Sequence, residues 1–477
     1  QMNLFKDMVC YQEEVRDPSR IAEVLNRVIE KAIRGSAPAQ INVPRDYWTQ
    51  VIDIELPPIV RLERQAGGAA AIEEAAKLLS DAKFPVILSG AGVVIGGAIK
   101  DCVKLAEKLD SPVCSGYQHN DSFPGSHPLA VGPLGYNGSK AAMELISKAD
   151  VVLALGTRLN PFSTLPGYGI DYWPKNAKII QVDMNSDRIG LTKKVTVAIC
   201  GDAKMVAQQL LGKLSPKAGD TDRQKRKDLI HQTKSAWLQK LSSLDHEEDD
   251  KGTVWNKEAR ERDKDRMSPR QAWRAIQAGM PEDVIISSDI GNNCAIGNAY
   301  PTFEKGRKYL APGLFGPCGY GFPSILGAKI GCPDTPVIGF AGDGAFGISM
   351  NEMSSCAREE WPAISMVIFR NYQWGAEKRN TTLWFDNNFI GTELDPELSY
   401  AKVADACGLK GVTVKTMEET TKAIKQSCED QKKGITTFIE VILNQELGEP
   451  FRRDAMKKPV KVAGIKKEDM RPQKGLN

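Results

Sequence analysis

The sequence predicts an α/β protein with two doubly wound parallel-sheet domains and the C-terminal remnant of a third. Short apolar runs alternate with amphipathic helical segments along residues 68–215 and again along 268–447. Glycine-rich turns directly follow several of these runs, as they do where strands lead into helices in such folds. The length of 477 residues exceeds what one hydrophobic core supports, so two or three domains are expected.

Residues 1–57 have the pattern of an incomplete domain. A helix is predicted over 19–35 and a strand over 39–46, followed by the proline-marked exit ELPPIV. One helix and one strand cannot form a core, and the first residue is Gln rather than Met. We therefore interpret this segment as the end of a domain that begins before residue 1, with RLERQAGGAA as the linker after it.

Residues 68–215 are predicted to form a central doubly wound domain, and 268–447 a second α/β domain. The central strands are PVILSGAG, DVVLALG, KIIQVD and VAIC; the later strands are DVIISSD, PVIGFAG, SMVIFRN and TTFIEVIL. The strongly charged residues 216–267 between the two domains are predicted to be a helical, solvated connection. Residues 448–477 are predicted to be a basic, solvated tail.

The composition excludes several functional classes. The net charge is +3 with acidic and basic residues intermixed, so no nucleic-acid-binding surface is indicated. The sequence has no run of 18 apolar residues and no signal peptide, and we expect no membrane contact. Ten cysteines are scattered without a C-x-x-C pair, which argues against a zinc site or a disulfide framework. We therefore expect a reducing cytoplasm.

The triplet Gly342-Asp343-Gly344 carries the strongest chemical signal. It follows an apolar strand and opens a helix, and Asn371 ends the next strand. Asp343 and Asn371 would therefore lie at the carboxyl ends of two strands, where α/β sheets bind ligands. A diphosphate brings a hard cation such as Mg²⁺, which takes carboxylate and amide oxygens as ligands. The glycines and the helix N-terminus suit the phosphates, although Gly-Asp-Gly alone is also an ordinary turn.

Three further turns have competing interpretations. GAGVVIGG at 90–97 has neither the glycine spacing nor the acidic residue of a dinucleotide site, so a tight strand–helix turn is favoured. SSDIGNN at 287–293 either holds phosphate or is simply a loop. GLFGPCGYGFP at 313–323 could lie against a flat ligand, and its Cys318 has no neighbouring His to activate it.

Two basic pairs are candidate anion-binding groups. Lys378 and Arg379 either bind an anionic substrate or are exposed helix charges, and the second interpretation is favoured. Arg452 and Arg453 are adjacent in a loop, an arrangement suited to phosphate or sulfonate, but a surface salt bridge explains them equally well.

The ordered set of SDIGNN, GLFGPCGYGFP, GDGAF and Asn371 resembles the pyrophosphate domain of thiamine diphosphate (ThDP) enzymes of the acetohydroxyacid synthase type. Longer segments, among them HNDSFPGSHPLAVGPLGYNGSKAAM, DYWPKNAKIIQVD, RNYQWGAEKRN and ELGEPFRRDA, look like those of the sulfoacetaldehyde acetyltransferases. The resemblance implies a ThDP-binding fold with ThDP and Mg²⁺ as cofactors.

The same resemblance assigns the site residues. Asp343, Asn371 and the main-chain carbonyl of Gln373 would bind Mg²⁺. Cys318 stands where related enzymes place a bulky residue that supports ThDP in its V shape, although Cys is smaller than the usual Leu or Met. The cofactor contacts are expected from Gly291, Asn292, Asn293, Gly316, Cys318, Gly342, Gly344, Ala345 and Phe346.

The activity that the resemblance implies converts sulfoacetaldehyde and phosphate into acetyl phosphate and sulfite. Both substrates are anions, so Lys378, Arg379, Arg452 and Arg453 become candidate clamps. The glutamate that activates ThDP in this family belongs to the N-terminal domain of a partner subunit and would lie before residue 1. No catalytic residue is therefore assigned, residues 1–477 alone are expected to be inactive, and a homodimer or homotetramer is expected.

Two alternatives remain at this stage. The first is an acetohydroxyacid synthase-like carboligase or a 2-oxo acid decarboxylase, whose central domain could bind FAD, ADP or nothing. The second is a non-catalytic nucleotide-binding module that uses GAGVVIGG.

Overall fold

The computed structural model describes residues 1–58, 63–216, 219–244, 263–313, 315–358, 360–385 and 388–446. The chain divides into two compact units, Gln1–Glu63 and Arg64–Asn477. Within the described residues, no helix is both long and apolar enough to cross a membrane.

The first unit is a small parallel β-α-β arrangement. It consists of α1 (Met2–Phe5), β1 (Tyr11–Glu14), α2 (Ile21–Gly35) and β2 (Ala39–Asn42), with β1 parallel to β2. Val15, Val24 and Val28 form its core. The expectation of one helix and one strand was wrong because β1 has the polar sequence YQEE and gives no apolar run.

The central part of the second unit contains a six-stranded, all-parallel sheet in the order β5-β4-β3-β6-β7-β8. Its strands are β3 (Pro85–Ser89), β4 (Val113–Ser115), β5 (Ala130–Pro133), β6 (Val151–Leu155), β7 (Lys178–Asp183) and β8 (Val197–Cys200). Its helices are α3 (Ala69–Asp81), α4 (Ala91–Ile95), α5 (Ile99–Leu109), α6 (Lys140–Ile146) and α7 (Ala203–Lys213). The four expected strands are present, whereas β4 has only three residues and β5 has the sequence AVGP, whose glycine and proline disfavour a strand prediction.

The turn after β3 explains the GAGVVIGG motif. Gly90 precedes α4, and Gly92 N donates to Gly156 O at 2.8 Å. A Cβ on Gly92 would lie 2.7 Å from Gly156 Cα, so the two backbones approach too closely for a side chain. The favoured interpretation as a tight strand–helix turn is confirmed.

Helix α8 (Asp220–Leu244) lies in the charged segment that was predicted to be solvated. Arg226, Ile230, Trp237 and Leu241 are nevertheless buried, at spacings that place them along one stripe of the helix. Arg226 donates to the main-chain carbonyls of residues 83, 109 and 110. The solvated interpretation was therefore wrong for this stripe, because a few residues in a charged run are enough to anchor a helix.

The C-terminal part contains a second all-parallel sheet in the order β10-β9-β11-β12-β14-β13. Its strands are β9 (Ile285–Ser288), β10 (Tyr309–Leu310), β11 (Val337–Gly342), β12 (Ser365–Arg370), β13 (Lys410–Val414) and β14 (Thr437–Ile442). Its helices are α9 (Pro269–Gly279), α10 (Asn292–Ile296), α11 (Gly321–Gly331), α12 (Asp343–Ser349), α13 (Met353–Cys356), α14 (Gly375–Trp384), α15 (Tyr400–Ala406) and α16 (Met417–Gln431).

Both faces of this sheet are buried. On one face Trp273 of α9 packs against Phe340 and Phe369, with ring centroids 4.8 and 5.3 Å away. On the other face Phe322 packs edge-on to Phe438 at 5.4 Å. Burial on both faces explains why the strands appear in the sequence as continuous apolar runs.

Polar contacts join the two sheets of the second unit. Gln118 N donates to Asn298 Oδ1 at 3.0 Å, and Asn120 Nδ2 donates to the carbonyls of Asn298 and Pro301. Because both sheets belong to one compact unit, the limits 68–215 and 268–447 stay predictions.

Candidate cofactor site

A cleft lies where β9, β11 and β12, three neighbouring strands, end. Because the strands are parallel, the turns that follow them meet at one edge of the sheet. The structure brings ten of the predicted residues together around this cleft: Gly291, Asn292, Asn293, Cys318, Gly342, Asp343, Gly344, Ala345, Asn371 and Gln373. Ile290, Cys294, Trp374, Gly375, Ala376 and Glu377 also line it.

Asp343 is the buried carboxylate of the cleft, and only 1% of it is exposed. Its Oδ2 accepts hydrogen bonds from Tyr372 N at 2.6 Å and Arg370 Nη1 at 3.1 Å, and its Oδ1 accepts one from Gly344 N at 3.0 Å. Burial raises the pKa of Asp343 to about 6, although the charge of Arg370 and the two N–H donors act in the opposite direction.

Several amide oxygens around Asp343 have no hydrogen-bond partner within the described part of the chain. Asn292 Oδ1, Asn293 Oδ1 and Gln373 Oε1 are all buried in this state. The amide nitrogen of Asn292 is already used, because it donates to Gly375 O at 2.8 Å. The unsatisfied atoms are therefore oxygens, which suit a cation or a ligand N–H better than a phosphate oxygen.

The cleft residues fit a hard cation. Mg²⁺ takes one or two carboxylates, neutral oxygens and ligand phosphates rather than a cage of acidic side chains. Among the described residues, no cluster of three or more His, Cys, Asp or Glu side chains occurs. Helices α10 and α12 both begin at the cleft, where the first N–H groups of a helix lack intrahelical partners and suit an anion.

The glycine-rich loop at 313–323 is held by Asp289, a residue that the sequence analysis did not select. Asp289 Oδ1 accepts hydrogen bonds from Ile290 N at 2.8 Å and Gly319 N at 3.1 Å, and Oδ2 accepts one from Gly321 N at 2.7 Å. Gly319 has φ = +87°, a conformation that favours glycine. The position of Asp289 inside SSDIGNN, directly after a buried strand, was the only sequence signal for it.

Cys318 lies on the cleft wall, but Gly316 does not line the cleft. Burial raises the pKa of the Cys318 thiol, and the carboxylates of Asp289 and Glu377 raise it further. A thiol with a raised pKa is a poor nucleophile, in agreement with the sequence expectation.

Some predicted residues are placed differently from the expectation. The Phe346 ring is fully buried in the core, 5.6 Å from Phe322, so its side chain does not line the cleft. Lys378 and Arg379 are buried, and Lys378 pairs with Glu393. The interpretation of these two bases as exposed helix charges was wrong, because α14 packs their face inward. Arg452 and Arg453 lie outside the described residues.

Arg370 is the second residue that the sequence analysis missed. It is 1% exposed, ends β12 and contacts Asp343 directly. A charged residue that closes an otherwise apolar strand, immediately before Asn371, is the signal that could have identified it.

Glycine turns, one buried carboxylate and unsatisfied amide oxygens at the carboxyl edge of a parallel sheet define a site for a diphosphate cofactor held through a hard cation. The comparisons with known proteins agree. Residues 72–210 match the family described as thiamine pyrophosphate enzyme, central domain. Residues 289–441 match the thiamine pyrophosphate enzyme, C-terminal TPP binding domain.

Similar proteins narrow the class further. The chain is 78% identical over 476 residues to a probable sulfoacetaldehyde acetyltransferase of Rhizobium meliloti, covering 100% of this chain and 80% of that protein. It is 73% identical to the sulfoacetaldehyde acetyltransferase of Roseovarius nubinhibens, covering 99% and 78%. The chain belongs to the thiamine pyrophosphate enzymes and, within them, to the family of sulfoacetaldehyde acetyltransferases.

The fold has a counterpart among solved structures. Benzoylformate decarboxylase from Polynucleobacter necessarius superimposes with a TM-score of 0.71 at 18% sequence identity, covering 93% of this chain and 78% of that one. At this identity the likeness shows the fold alone. The predicted fold class and the expected thiamine diphosphate cofactor are both confirmed.

Proposed function

We propose that this protein converts sulfoacetaldehyde and phosphate into acetyl phosphate and sulfite. The observation that carries the proposal is the 78% identity over 476 residues to a probable sulfoacetaldehyde acetyltransferase, a match that includes the whole cleft. The reaction balances without an external oxidant. The carbon–sulfur bond breaks and sulfite leaves with the electron pair, while the aldehyde carbon becomes an acyl carbon and the neighbouring carbon becomes a methyl group.

The protein residues position and shield the cofactor. ThDP, when bound, supplies the nucleophilic carbon and the electron sink of the reaction. Asp343, Asn371 and the main-chain carbonyl of Gln373 would hold Mg²⁺. Asp343 and Asn371 are 1% and 2% exposed, so water has little access to this part of the site.

The diphosphate contacts are proposed for the main chain of Gly291, Asn292, Gly344 and Ala345, at the turns where α10 and α12 begin. Gly291 has φ = +127°, and a Cβ placed on it would meet no atom within 4 Å. Glycine is therefore required there by backbone conformation, while the space beside it stays open to a ligand. Cys318 would contact the cofactor from the loop that Asp289 holds.

Anion binding is proposed for Arg452 and Arg453, since the Lys378 ammonium is already paired with Glu393. The test is a kinetic comparison of two alanine variants, Arg452→Ala and Arg453→Ala. Michaelis constants for sulfoacetaldehyde and for phosphate that stay unchanged in both variants would refute the assignment.

The activity is tested by measuring both products of the proposed reaction. Purified protein is incubated with ThDP, Mg²⁺, phosphate and sulfoacetaldehyde, and sulfite and acetyl phosphate are measured. An Asp343→Ala variant serves as the inactive control. Equimolar release of both products supports the proposal, whereas turnover of pyruvate without sulfite release from sulfoacetaldehyde favours the carboligase or decarboxylase alternative.

Calorimetric titration with ThDP and Mg²⁺ against NAD, ADP and FAD separates the enzyme from a non-catalytic nucleotide-binding module. We also propose a homodimer or homotetramer in the cytoplasm, with no nucleic-acid partner. All ten cysteines are free, which is consistent with a reducing compartment. Analytical ultracentrifugation gives the oligomeric state, and a monomer at micromolar concentration would contradict that part.

A further inference from the structure

We propose that Arg370 is a positioning residue for the metal site: its guanidinium fixes the orientation of Asp343 and couples that carboxylate to the segment 395–400. The inference rests on the proposed role of Asp343 as a Mg²⁺ ligand. It goes further by assigning to the residue beside Asn371 a function that the motif itself does not contain.

The contact between Arg370 and Asp343 is buried and leaves one carboxylate oxygen less occupied. Arg370 Nη1 donates to Asp343 Oδ2 at 3.1 Å, and the same oxygen accepts Tyr372 N at 2.6 Å. The other oxygen, Oδ1, accepts a bond from Gly344 N at 3.0 Å. A carboxylate oxygen can accept two bonds, so Oδ2 is fully used while Oδ1 retains capacity for a cation.

The guanidinium itself is held from several sides. Its Nη2 donates to the main-chain carbonyls of Asp395 and Leu398, the latter at 2.9 Å. The Tyr372 ring lies 4.2 Å from the guanidinium carbon, and the Tyr400 ring lies 5.5 Å away. A planar group fixed by two carbonyls and two aromatic rings has little freedom, so it can hold Asp343 in one rotamer.

Tyr400 links the same elements by a second route. Its hydroxyl donates to the main-chain oxygen of Asp343 at 2.8 Å, and its main-chain N–H donates to Glu440 Oε1 at 3.1 Å. The start of α15 is therefore tied to both Asp343 and Arg370. Displacement of the metal ligand would disturb this segment, and the reverse also holds.

The charges of Asp343, Arg370 and Glu440 indicate that a cation completes this buried cluster. Glu440 Oε1 lies 3.7 Å from Arg370 Nε, so one guanidinium faces two buried carboxylates. Asp343, Arg370 and Glu440 are all at most 2% exposed. Buried charges require compensation, and of the two carboxylates only Asp343 lines the cleft, where a bound cation could reach it. A divalent cation at Asp343 compensates it.

The test measures the Mg²⁺ concentration that gives half-maximal ThDP binding. Binding is monitored by calorimetry and by intrinsic tryptophan fluorescence, to which Trp374 in the cleft contributes. Wild type, Arg370→Gln and Arg370→Lys are compared as purified proteins under identical conditions. Loss of a group that orients a metal ligand weakens metal affinity by about 10- to 100-fold, and we expect this range for Arg370→Gln. Arg370→Lys keeps the charge without the planar fork and should show a smaller loss.

The matched control is Arg226→Gln. Arg226 is also a buried arginine that donates to main-chain carbonyls, but it lies on α8, away from the cleft. Its substitution should lower the melting temperature and leave the Mg²⁺ half-saturation unchanged. A merely structural role for Arg370 would give the same result.

An unchanged Mg²⁺ half-saturation in a folded Arg370→Gln variant overturns the inference. A tighter one does so as well, since it would mean that repulsion of Mg²⁺ by the guanidinium outweighs the orientation of Asp343. If that variant does not fold, a wild-type value in Arg370→Lys has the same consequence. Asp343→Asn is measured in parallel. If it is also unchanged, the ligand assignment fails and the inference fails with it; if it alone is weakened, only the inference fails.

Discussion

Asp289 offers the sharpest test of how the glycine-rich loop is held against the cofactor cleft. Its carboxylate accepts three main-chain N–H groups, from Ile290, Gly319 and Gly321, at 2.7 to 3.1 Å. Substitution by Asn keeps one acceptor oxygen for Ile290 and Gly319. It also turns an amide nitrogen toward Gly321 N, so two donors face each other.

The magnitude follows from the bonds lost. One buried donor without a partner costs about 1 to 3 kcal/mol, which is the expected loss of stability for Asp289→Asn. Asp289→Ala removes all three bonds, and at about 1 to 1.5 kcal/mol each the loss is about 3 to 5 kcal/mol. The lower net value per bond applies because the bonds from Ile290 N and Gly319 N are only partly buried, so water can partly replace the lost acceptor.

The assay combines urea unfolding with titration of ThDP at saturating Mg²⁺. Both Asp289 variants should bind ThDP more weakly than the wild type, because Cys318 and its loop are no longer fixed at the cleft. The affinity for ThDP should be lowest in Asp289→Ala and intermediate in Asp289→Asn. Asp121→Asn is the control. Asp121 is also a buried aspartate that accepts main-chain N–H groups, from Lys308 at 2.9 Å and Tyr309 at 3.3 Å, but it does not line the cleft.

The Asp121 variant should lose stability and keep the ThDP affinity of the wild type. If Asp289→Ala keeps both the wild-type stability and the wild-type ThDP affinity, the loop does not depend on Asp289. Equal losses of ThDP affinity in the Asp121 and Asp289 variants would show that general destabilisation, rather than the loop, is responsible.

Two glycines allow contrasting predictions. A Cβ on Gly344 would lie 2.8 Å from Trp374 Cδ2. Gly344→Ala should therefore lower the free energy of unfolding in urea by about 1 to 3 kcal/mol and weaken ThDP binding in calorimetry. Undiminished ThDP affinity would contradict the proposed diphosphate contact. A Cβ on Gly156 would lie 2.8 Å from the backbone of Gly92, and its φ is +62°. Gly156→Ala should therefore cost about 2 to 5 kcal/mol, the sum of overpacking and left-handed strain, with unchanged ThDP affinity in the folded fraction. A stability within about 0.5 kcal/mol of the wild type, the range of an ordinary surface substitution, would refute the close approach.

The sequence predicted the long buried strands well and missed the short or polar ones. Strands β11, β12 and β14 are flanked by helices on both faces and appear as continuous apolar runs. β4 has only three residues, and β1 has the sequence YQEE. Strands of this kind are specified by their neighbours in the sheet rather than by their own hydrophobic pattern.

Charged residues show the limits of sequence patterns most clearly. Lys378 and Arg379 were interpreted as exposed and Arg226 as part of a solvated connection, yet all three are buried. A sequence shows that a side chain carries a charge, but the partners that make its burial favourable come from distant segments. Glu393 provides the partner of Lys378 from 15 residues away, and carbonyls more than 100 residues away accept from Arg226.

The sequence by itself identified most of the residues that line the cleft. Glycine where backbone must approach a ligand, and Asp343 and Asn371 at the ends of two apolar strands, are local features, because each depends only on neighbouring residues. The tertiary structure decided which turns meet. Parallel pairing of β9, β11 and β12 brings three turns to one edge, and the buried contacts of Asp289 and Arg370 then hold the loop and the carboxylate in place. Such contacts join residues that are distant in sequence. They depend on the order of the strands in the sheet, which no local periodicity encodes.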